Sequence, residues 1–173
     1  DRLTSYANYF RVDGIQLHKV GANTTFITLY PQVGTVTQYN SDVRITNSIV
    51  FADAGTSGHY NLGIYPYTGM VTIANNIIYD FTTGFGDSMA IQIHSPLSYV
   101  YNNTLVNNDI GVDNNATSFS YRKNNIVVGG AGFREMGNAS DAASDYNLQS
   151  EDKTSGLAGM SLMGTHCKDL TTP

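Results

Sequence analysis

The stretch VTIANNIIYD, residues 71–80, places two asparagines inside an apolar run. The residues on both sides of the pair alternate between apolar and other side chains with the period of two that is typical of β-strands. A strand should least favour Asn75 and Asn76 at its centre, because an amide without partners is costly to bury. The pair therefore indicates a bend between two short strands.

The same unit recurs along the chain. Similar pairs occur in VRITNSIVFAD (43–53), YVYNNTLVNND (99–109) and SYRKNNIVVGG (120–130). The first residues of the pairs are 28, 27 and 22 residues apart, at Asn47, Asn75, Asn102 and Asn124. Looser copies place Gly14 and Asn147 at the equivalent position. The chain thus contains about six copies of one repeat.

A repeat of this length indicates a solenoid, in which each unit buries its apolar face against its neighbours. No segment shows apolar residues at i, i+3, i+4 and i+7 over a helical length, and the leucine-rich consensus is absent. The pattern therefore predicts an all-β fold, a parallel β-helix of about six coils over residues 1–149. Residues 150–173 lose the alternation, and we expect an irregular C-terminal wrap or the lead into a missing segment.

The asparagines have a structural interpretation. Asparagine tolerates the left-handed backbone conformation that a sharp bend requires, and its amide both donates and accepts hydrogen bonds. When coils stack, equivalent amides can bond in a ladder along the axis. Gly14 fits the same position, because glycine enters that conformation at little cost. We therefore expect a structural turn ladder formed by Asn47, Asn75, Asn76, Asn102, Asn103, Asn124 and Asn125.

The pattern V-x-I-x-N-N-I-I, followed by a loop and a short strand such as AIQI (90–93), resembles a known family of repeats. It is similar to the right-handed parallel β-helix of the pectate-lyase-like superfamily. The resemblance covers residues 10–149 and implies a right-handed coil. That superfamily includes polysaccharide lyases, glycoside hydrolases, phage tailspikes and other virion proteins, and bacterial surface proteins, so the fold alone does not select a function.

Composition limits the partners. The 173 residues suit one domain, charged residues make up 13% of the chain, and the net charge of −5 disfavours binding to a polyanion. We therefore expect no nucleic-acid partner, and the apolar runs are too short for membrane insertion. The lone Cys167 excludes an internal disulfide. Of the few basic residues, Arg122 and Lys123 are expected to be solvated charges at a strand edge.

A candidate binding strip follows from the second set of strands. If Ile64, Ile91 and Val112 point inward, the alternation directs their neighbours outward on one face. Aromatic rings with nearby amides and carboxylates suit a sugar chain, although stacked tyrosines also stabilise neighbouring strands without a ligand. The predicted ligand-binding residues are Tyr30, Tyr65, Tyr67 and Gln92. The candidate catalytic residues are His94, Asp113 and Arg134.

A complete catalytic constellation is not evident in the sequence. His94 is a candidate general base, with Asp113 expected one coil away at about 5 Å. Asp109 and Asp113 are expected on one strand, and the acidic residues near the strip, which include Asp80 and Asp87, do not recur at one strand position. We therefore expect no metal site or cofactor, and Ca²⁺ is a candidate only if the protein is a lyase.

Three hypotheses follow. The first is a structural or adhesive β-helix, extracellular or exposed on a cell or virion surface, that binds polysaccharide or glycan along the strip. The second is a carbohydrate-active enzyme, a polysaccharide lyase or glycoside hydrolase, or a fragment of one. The third is an assembly element that forms a homo-oligomer or a larger assembly through its exposed tyrosines. An open strip favours binding or catalysis, and a strip covered by a partner chain favours assembly.

Overall fold

The computed structural model describes residues 3–5, 9–20, 25–29, 42–53, 61–67, 69–83, 86–114, 119–130, 133–135, 145–150 and 168–169. Within these ranges every regular element is a β-strand, and the strands form three sheets. The ladders in all three sheets are parallel, as those between the third and fourth strands of each sheet show. The predicted all-β class is confirmed.

Within the described ranges the three sheets, A, B and C, contain six, five and seven strands. Sheet A consists of β1 (Leu3–Ser5), β4 (Thr25–Leu29), β7 (Leu62–Pro66), β10 (Met89–Ile93), β13 (Ile110–Asn114) and β16 (Phe133–Glu135). Sheet B consists of β2 (Tyr9–Asp13), β5 (Asp42–Thr46), β8 (Met70–Ala74), β11 (Leu97–Tyr101) and β14 (Phe119–Lys123). Sheet C consists of β3 (Gln16–Lys19), β6 (Ile49–Ala52), β9 (Ile77–Tyr79), β12 (Thr104–Val106), β15 (Ile126–Val128), β17 (Leu148–Ser150) and β18 (Lys168–Asp169).

The order of the strands shows how the chain winds. From β1 to β16 the described strands visit sheets A, B and C in turn, so each sheet gains every third strand. Each inner strand of a sheet pairs in parallel with its equivalents in the preceding and following repeats, as β10 does with β7 and β13 and as expected for a parallel β-helix. The right-handed sense of the β-helix and the number of its coils, about six, remain predictions.

The core lies between the sheets and is built from rows of equivalent side chains. In sheet B, Ile45 pairs with Ile73, and Ile73 pairs with Val100. All three side chains are fully buried and belong to one large apolar cluster. Because side chains alternate across a strand, one register fixes the buried face of every coil in the row.

The first asparagine of each pair provides the bend between sheets B and C. Asn47, Asn75, Asn102 and Asn124 have φ angles of 53°, 58°, 55° and 56°, in the left-handed region. Gly14 has a φ of 66° at the equivalent position of the first copy. The turn after each strand of sheet B therefore has one repeated backbone conformation, which asparagine adopts more readily than most residues.

The second asparagine of each pair is buried and forms a ladder of hydrogen bonds. The Nδ2 of Asn76 donates to Oδ1 of Asn103, and Nδ2 of Asn103 donates to Oδ1 of Asn125, both at 3.0 Å. The Nδ2 of Asn125 continues the ladder to Oδ1 of Asn147 at 2.9 Å. Each side chain also joins backbone groups, so the amides stabilise the inside of the turn without exposure to water.

Two expectations from the sequence are wrong. The side chain of Arg122 is only 1% exposed, because its pairing with Val100 places it in an inward-facing row rather than at a solvated edge. Asp109 does not share a strand with Asp113, because β13 begins at Ile110. Lys123 is half-buried, and its backbone forms a bridge with Asp145.

Little of the C-terminal segment belongs to the described residues. Ser150 ends β17, and Lys168–Asp169 form β18, which pairs in parallel with β17 and extends sheet C. The other residues of 150–173 lie outside the described residues.

Candidate functional site

Three aromatic rings meet at the ends of β7 and β10 in sheet A. Tyr65 lies on β7, Tyr67 follows the end of that strand, and His94 follows the end of β10. The ring centroids of Tyr65 and Tyr67 are 6.2 Å apart, and those of Tyr65 and His94 are 4.9 Å apart. The rings of Tyr67 and His94 are separated by 5.5 Å. We call Tyr65, Tyr67 and His94 the aromatic cluster.

The backbone around Pro66 positions the aromatic cluster. The carbonyl oxygen of Pro66 accepts hydrogen bonds from the backbone N–H of His94 at 3.1 Å and from Oγ of Ser95 at 3.3 Å. The ring of Tyr65 packs against an apolar group of Leu62, Met89 and Ile110. The ring of Tyr65 is thus held in place by packing, and the backbone of His94 is hydrogen-bonded to β7.

The rings of the aromatic cluster are tilted rather than stacked. Their planes meet at 38° for Tyr65 and Tyr67, at 66° for Tyr65 and His94, and at 32° for Tyr67 and His94. The side chain of Tyr67 is 45% exposed. Aromatic surface of Tyr67 therefore remains available to a ligand.

The outer faces of the other two sheets carry aromatic rings that stack across neighbouring strands. In sheet C, His18 stacks on Phe51 at 4.4 Å and 8°, and Phe51 stacks on Tyr79 at 4.9 Å and 4°. In sheet B, Tyr99 stacks on Tyr121 at 5.3 Å and 17°, and it also meets Tyr101 on its own strand in a tilted contact at 5.9 Å and 52°. In these ladders neighbouring rings use their faces against one another, as cross-strand pairs that stabilise a sheet do.

Gln92 and Asp113 lie in sheet A, on β10 and on the neighbouring strand β13. The two residues are direct partners in the register of β10 and β13, and Nε2 of Gln92 donates to Oδ2 of Asp113 at 3.3 Å. The expectation that Asp113 faces solvent is wrong, because its side chain is 0% exposed. All of β13 is buried on both faces, as strands of parallel sheets commonly are.

The expected pairing of His94 with Asp113 across neighbouring strands is also wrong, because the register places Gln92 opposite Asp113. Burial lowers the pKa of His94 below its usual value, and the negative charge of Asp113 opposes this shift in part. His94 is therefore mainly neutral at pH 7. A neutral imidazole offers one hydrogen-bond donor and one acceptor.

The remaining residues of the predicted strip are less fully described. The backbone of Arg134 pairs with Asp113 in the register of β13 and β16, but its side chain is outside the described part of the structure. Tyr30 lies outside the described residues. The structure thus brings together five of the predicted residues, namely Tyr65, Tyr67, Gln92, His94 and Asp113.

A buried lysine was missed in the sequence. Lys19, at the end of β3, is only 2% exposed, and its Nζ donates to Oδ1 of Asn61 just before β7. Burial lowers the pKa of Lys19 to about 8. The alternation with Leu17 could have indicated its inward direction, because both occupy one face of the strand. Its burial gives it a structural role between sheets C and A.

The acidic residues near the turn after β9 are engaged with the protein itself. Oδ2 of Asp109 accepts hydrogen bonds from the backbone N–H groups of Thr83 and Ser88, at 2.8 and 3.1 Å. Oδ1 of Asp87 accepts from Oγ1 of Thr83 at 3.0 Å. In the described part of the chain no three His, Cys, Asp or Glu residues are grouped as a metal site would require. Nor does that part contain a helix long and apolar enough to cross a membrane.

Comparison of the chain with protein-family models, curated protein sequences and solved structures finds no significant match in any of the three. Any function must therefore be argued from the site itself.

Proposed function

We propose that the chain is a carbohydrate-binding structural module, a rigid β-helix that presents the aromatic cluster to a glycan outside the cell or on a virion surface. The observation that carries this proposal is the tilted arrangement of the three rings, with Tyr67 45% exposed. A membership of the pectate-lyase-like superfamily is part of the proposal, and it is supported by the V-x-I-x-N-N-I-I repeats and the three parallel sheets.

The chemistry of the site suits a sugar. The apolar face of a sugar ring can stack on Tyr67, while hydroxyl groups need both donors and acceptors at the edge of the platform. Gln92 and the neutral His94 provide both kinds of group at half-buried positions. Packing of Tyr65 on Leu62, Met89 and Ile110 prepares the platform before binding, which lowers the entropic cost of association.

Binding fits the described residues better than glycoside hydrolysis does. A hydrolase places two carboxyl groups roughly 5 to 9.5 Å apart, on either side of the scissile bond. Among the described residues of the strip, the one carboxylate belongs to Asp113, and it is fully buried. This arrangement supports recognition of a glycan without cleavage.

A polysaccharide lyase is the second candidate, and one observation favours it. The lowered pKa of His94 leaves its imidazole neutral at pH 7, the form that accepts a proton from a sugar carbon. In that case His94 would be the base, and Asp113 would influence its protonation through charge. Ca²⁺ belongs to this candidate alone.

Retention in native gels that contain a polysaccharide tests the binding proposal. The panel includes a β-glucan, a galactomannan, a xylan, polygalacturonate and alginate. We expect at least one polymer to retard the chain, and Tyr65→Ala with Tyr67→Ala to abolish retardation in a chain that still folds but melts at a lower temperature, because Tyr65 packs against Leu62, Met89 and Ile110. The matched control, Tyr99→Ala with Tyr121→Ala, removes two rings from sheet B and should still be retarded. Equal loss in both double variants would contradict the proposed site.

The lyase candidate is tested by incubation of the chain with the same panel. Ultraviolet absorbance reports unsaturated products, and an assay for reducing ends reports hydrolysis. Release of unsaturated product that disappears in His94→Gln would establish the lyase. Retention without product would leave the binding module as the function.

A further inference from the structure

We propose that the outer face of sheet C is the surface on which a second copy of this chain docks, so that the protein forms a reversible dimer with two-fold symmetry. Such a dimer is independent of glycan binding, because the aromatic cluster lies on sheet A. Two features of sheet C support it, namely the uncharged side chains that it presents outward and their regular spacing.

Two rows of outward side chains cross sheet C. In β6, β9, β12 and β15 the second residue is buried, while the first and third are half-buried or exposed, so the alternation directs these to the outer face. The parallel register aligns them across the sheet, and half-buried Leu148 on β17 continues the first row. The first row is Ile49, Ile77, Thr104, Ile126 and Leu148, and the second is Phe51, Tyr79, Val106 and Val128. We call these nine residues the outer rows.

The outer rows expose apolar surface and carry no charge. Ile77 is 45% exposed, and Ile126 and Val128 are each 40% exposed. None of the nine side chains is ionisable near pH 7. The outer face of sheet B differs, because Arg11 and Arg44 there form ion pairs with Asp42. The outer rows therefore suit burial against another protein, since no ion has to be desolvated.

The spacing of the outer rows favours a second copy of the chain as the partner. Neighbouring strands lie about 4.8 Å apart, so each row repeats a side chain at that interval. A surface that fits between these side chains along the whole row needs the same repeat, and the same face of a second copy has it. Two such sheets pack face to face about 10 Å apart. Because each copy has a net charge of −5, an uncharged face is also where two copies approach with least repulsion.

The area of the outer rows indicates a reversible dimer. Their exposed surface is on the order of 500 Å² per copy, so a symmetric pair buries on the order of 1,000 Å², at the low end for specific interfaces. Interfaces of this size are commonly weak, and we expect a dissociation constant of about 1–100 μM. A two-fold pair uses the same face of both copies and closes on itself, so it does not grow into larger oligomers.

Sedimentation equilibrium of the full chain between about 1 and 500 μM tests the dimer. We expect a reversible equilibrium between monomer and dimer. Ile77→Asp brings two like charges into an interface that contained none, one from each copy, and should raise the dissociation constant at least about tenfold. The matched control, Phe119→Asp, makes the same change of net charge on the outer face of sheet B, where Phe119 is 59% exposed. It should leave the dissociation constant unchanged.

Ile126→Asp covers a failure of Ile77→Asp to fold, and circular dichroism identifies the folded variants. A chain that stays monomeric up to about 500 μM would overturn the inference, and so would a dimer that persists unchanged in a folded variant of Ile77 or Ile126. An equal loss of affinity in Phe119→Asp would attribute the effect to net charge and overturn the assignment to sheet C. Oligomers that grow steadily with concentration would overturn the two-fold pairing. Failure of glycan binding would leave the dimer unaffected, because retention by a polysaccharide is measured separately.

Discussion

Asn103 donates from Nδ2 to Oδ1 of Asn125 at 3.0 Å, and the same nitrogen donates to the backbone oxygen of Ile73 at 2.9 Å. Its own Oδ1 accepts from the backbone N–H and the side chain of Asn76, both at 3.0 Å. One buried side chain thus satisfies polar groups of the coils on both sides of its own. The ladder makes a polar residue compatible with an apolar interior.

Replacement of Asn103 tests the ladder. Asn103→Leu leaves the partners on Asn76 and Asn125 without a buried hydrogen-bonding group, so we expect a loss of about 2–4 kcal/mol in the free energy of unfolding. The measurement is urea denaturation. Asn102→Gly is the control, because Asn102 is exposed with a φ of 55° that glycine adopts freely, and it should change stability by less than about 1 kcal/mol. Similar losses in both variants would contradict the role of the ladder.

The register of the core gives a second prediction. Ile91→Asp places an unpaired charge in the centre of the apolar cluster, so the variant should fail to fold. Ile77→Asp makes the same substitution on the outer face of sheet C, where Ile77 is 45% exposed, and it should fold. Circular dichroism and thermal melting distinguish the two. Normal melting of Ile91→Asp would show that the assigned register is wrong.

Lys19 gives a prediction about alkaline pH. Its pKa falls from 10.5 in a model compound to about 8 in the folded chain, so the unfolded chain binds more protons between these values. Stability should therefore rise as pH increases from about 8 toward 10, by at most about 3 kcal/mol. The difference in unfolding free energy between wild type and Lys19→Met isolates this lysine from the tyrosines. A difference that does not change with pH would refute the assignment.

His94 gives a similar prediction in the acidic pH range. Because burial lowers its pKa in the folded chain, the unfolded chain takes up a proton first as pH falls below 6.5. Stability is fully present above that value and should decrease between pH 6.5 and the lower pKa of the folded state. His94→Gln should remove this part of the pH dependence, and urea melts of both proteins at several pH values would show it. An identical dependence in the two proteins would contradict the burial of His94.

Much of the fold could be predicted because its signals are local and repeated. The asparagine pairs recur at 28, 27 and 22 residues, and the left-handed bend depends on the chemistry of one residue such as Asn75. Sheets B and C follow from the alternation on both sides of each pair, and sheet A follows from the short strand after the loop, such as Met89–Ile93. Gly14 alone would not have indicated a bend, but its alignment with the asparagines of the other repeats did.

The site was less predictable, because burial depends on residues distant in sequence. Alternation indicates the direction of Asp113 but not that both faces of β13 are buried. Charge was a poor guide to Arg122, whose position in a row with Val100 places it inside. The register of β10 and β13, which puts Gln92 rather than His94 opposite Asp113, depends on loop lengths that a single sequence does not fix.

The most direct test of glycan binding at the aromatic cluster is a titration that follows the histidine rings by nuclear magnetic resonance. The probe is an oligosaccharide prepared from whichever polymer of the panel retains the chain, and loss of a signal in His94→Gln assigns His94 among the four histidines. We predict saturable shifts of the His94 ring signals, while His18, stacked on Phe51 in sheet C, stays unchanged. Saturation without any shift at His94, or with shifts at His18 instead, would contradict glycan binding at the aromatic cluster.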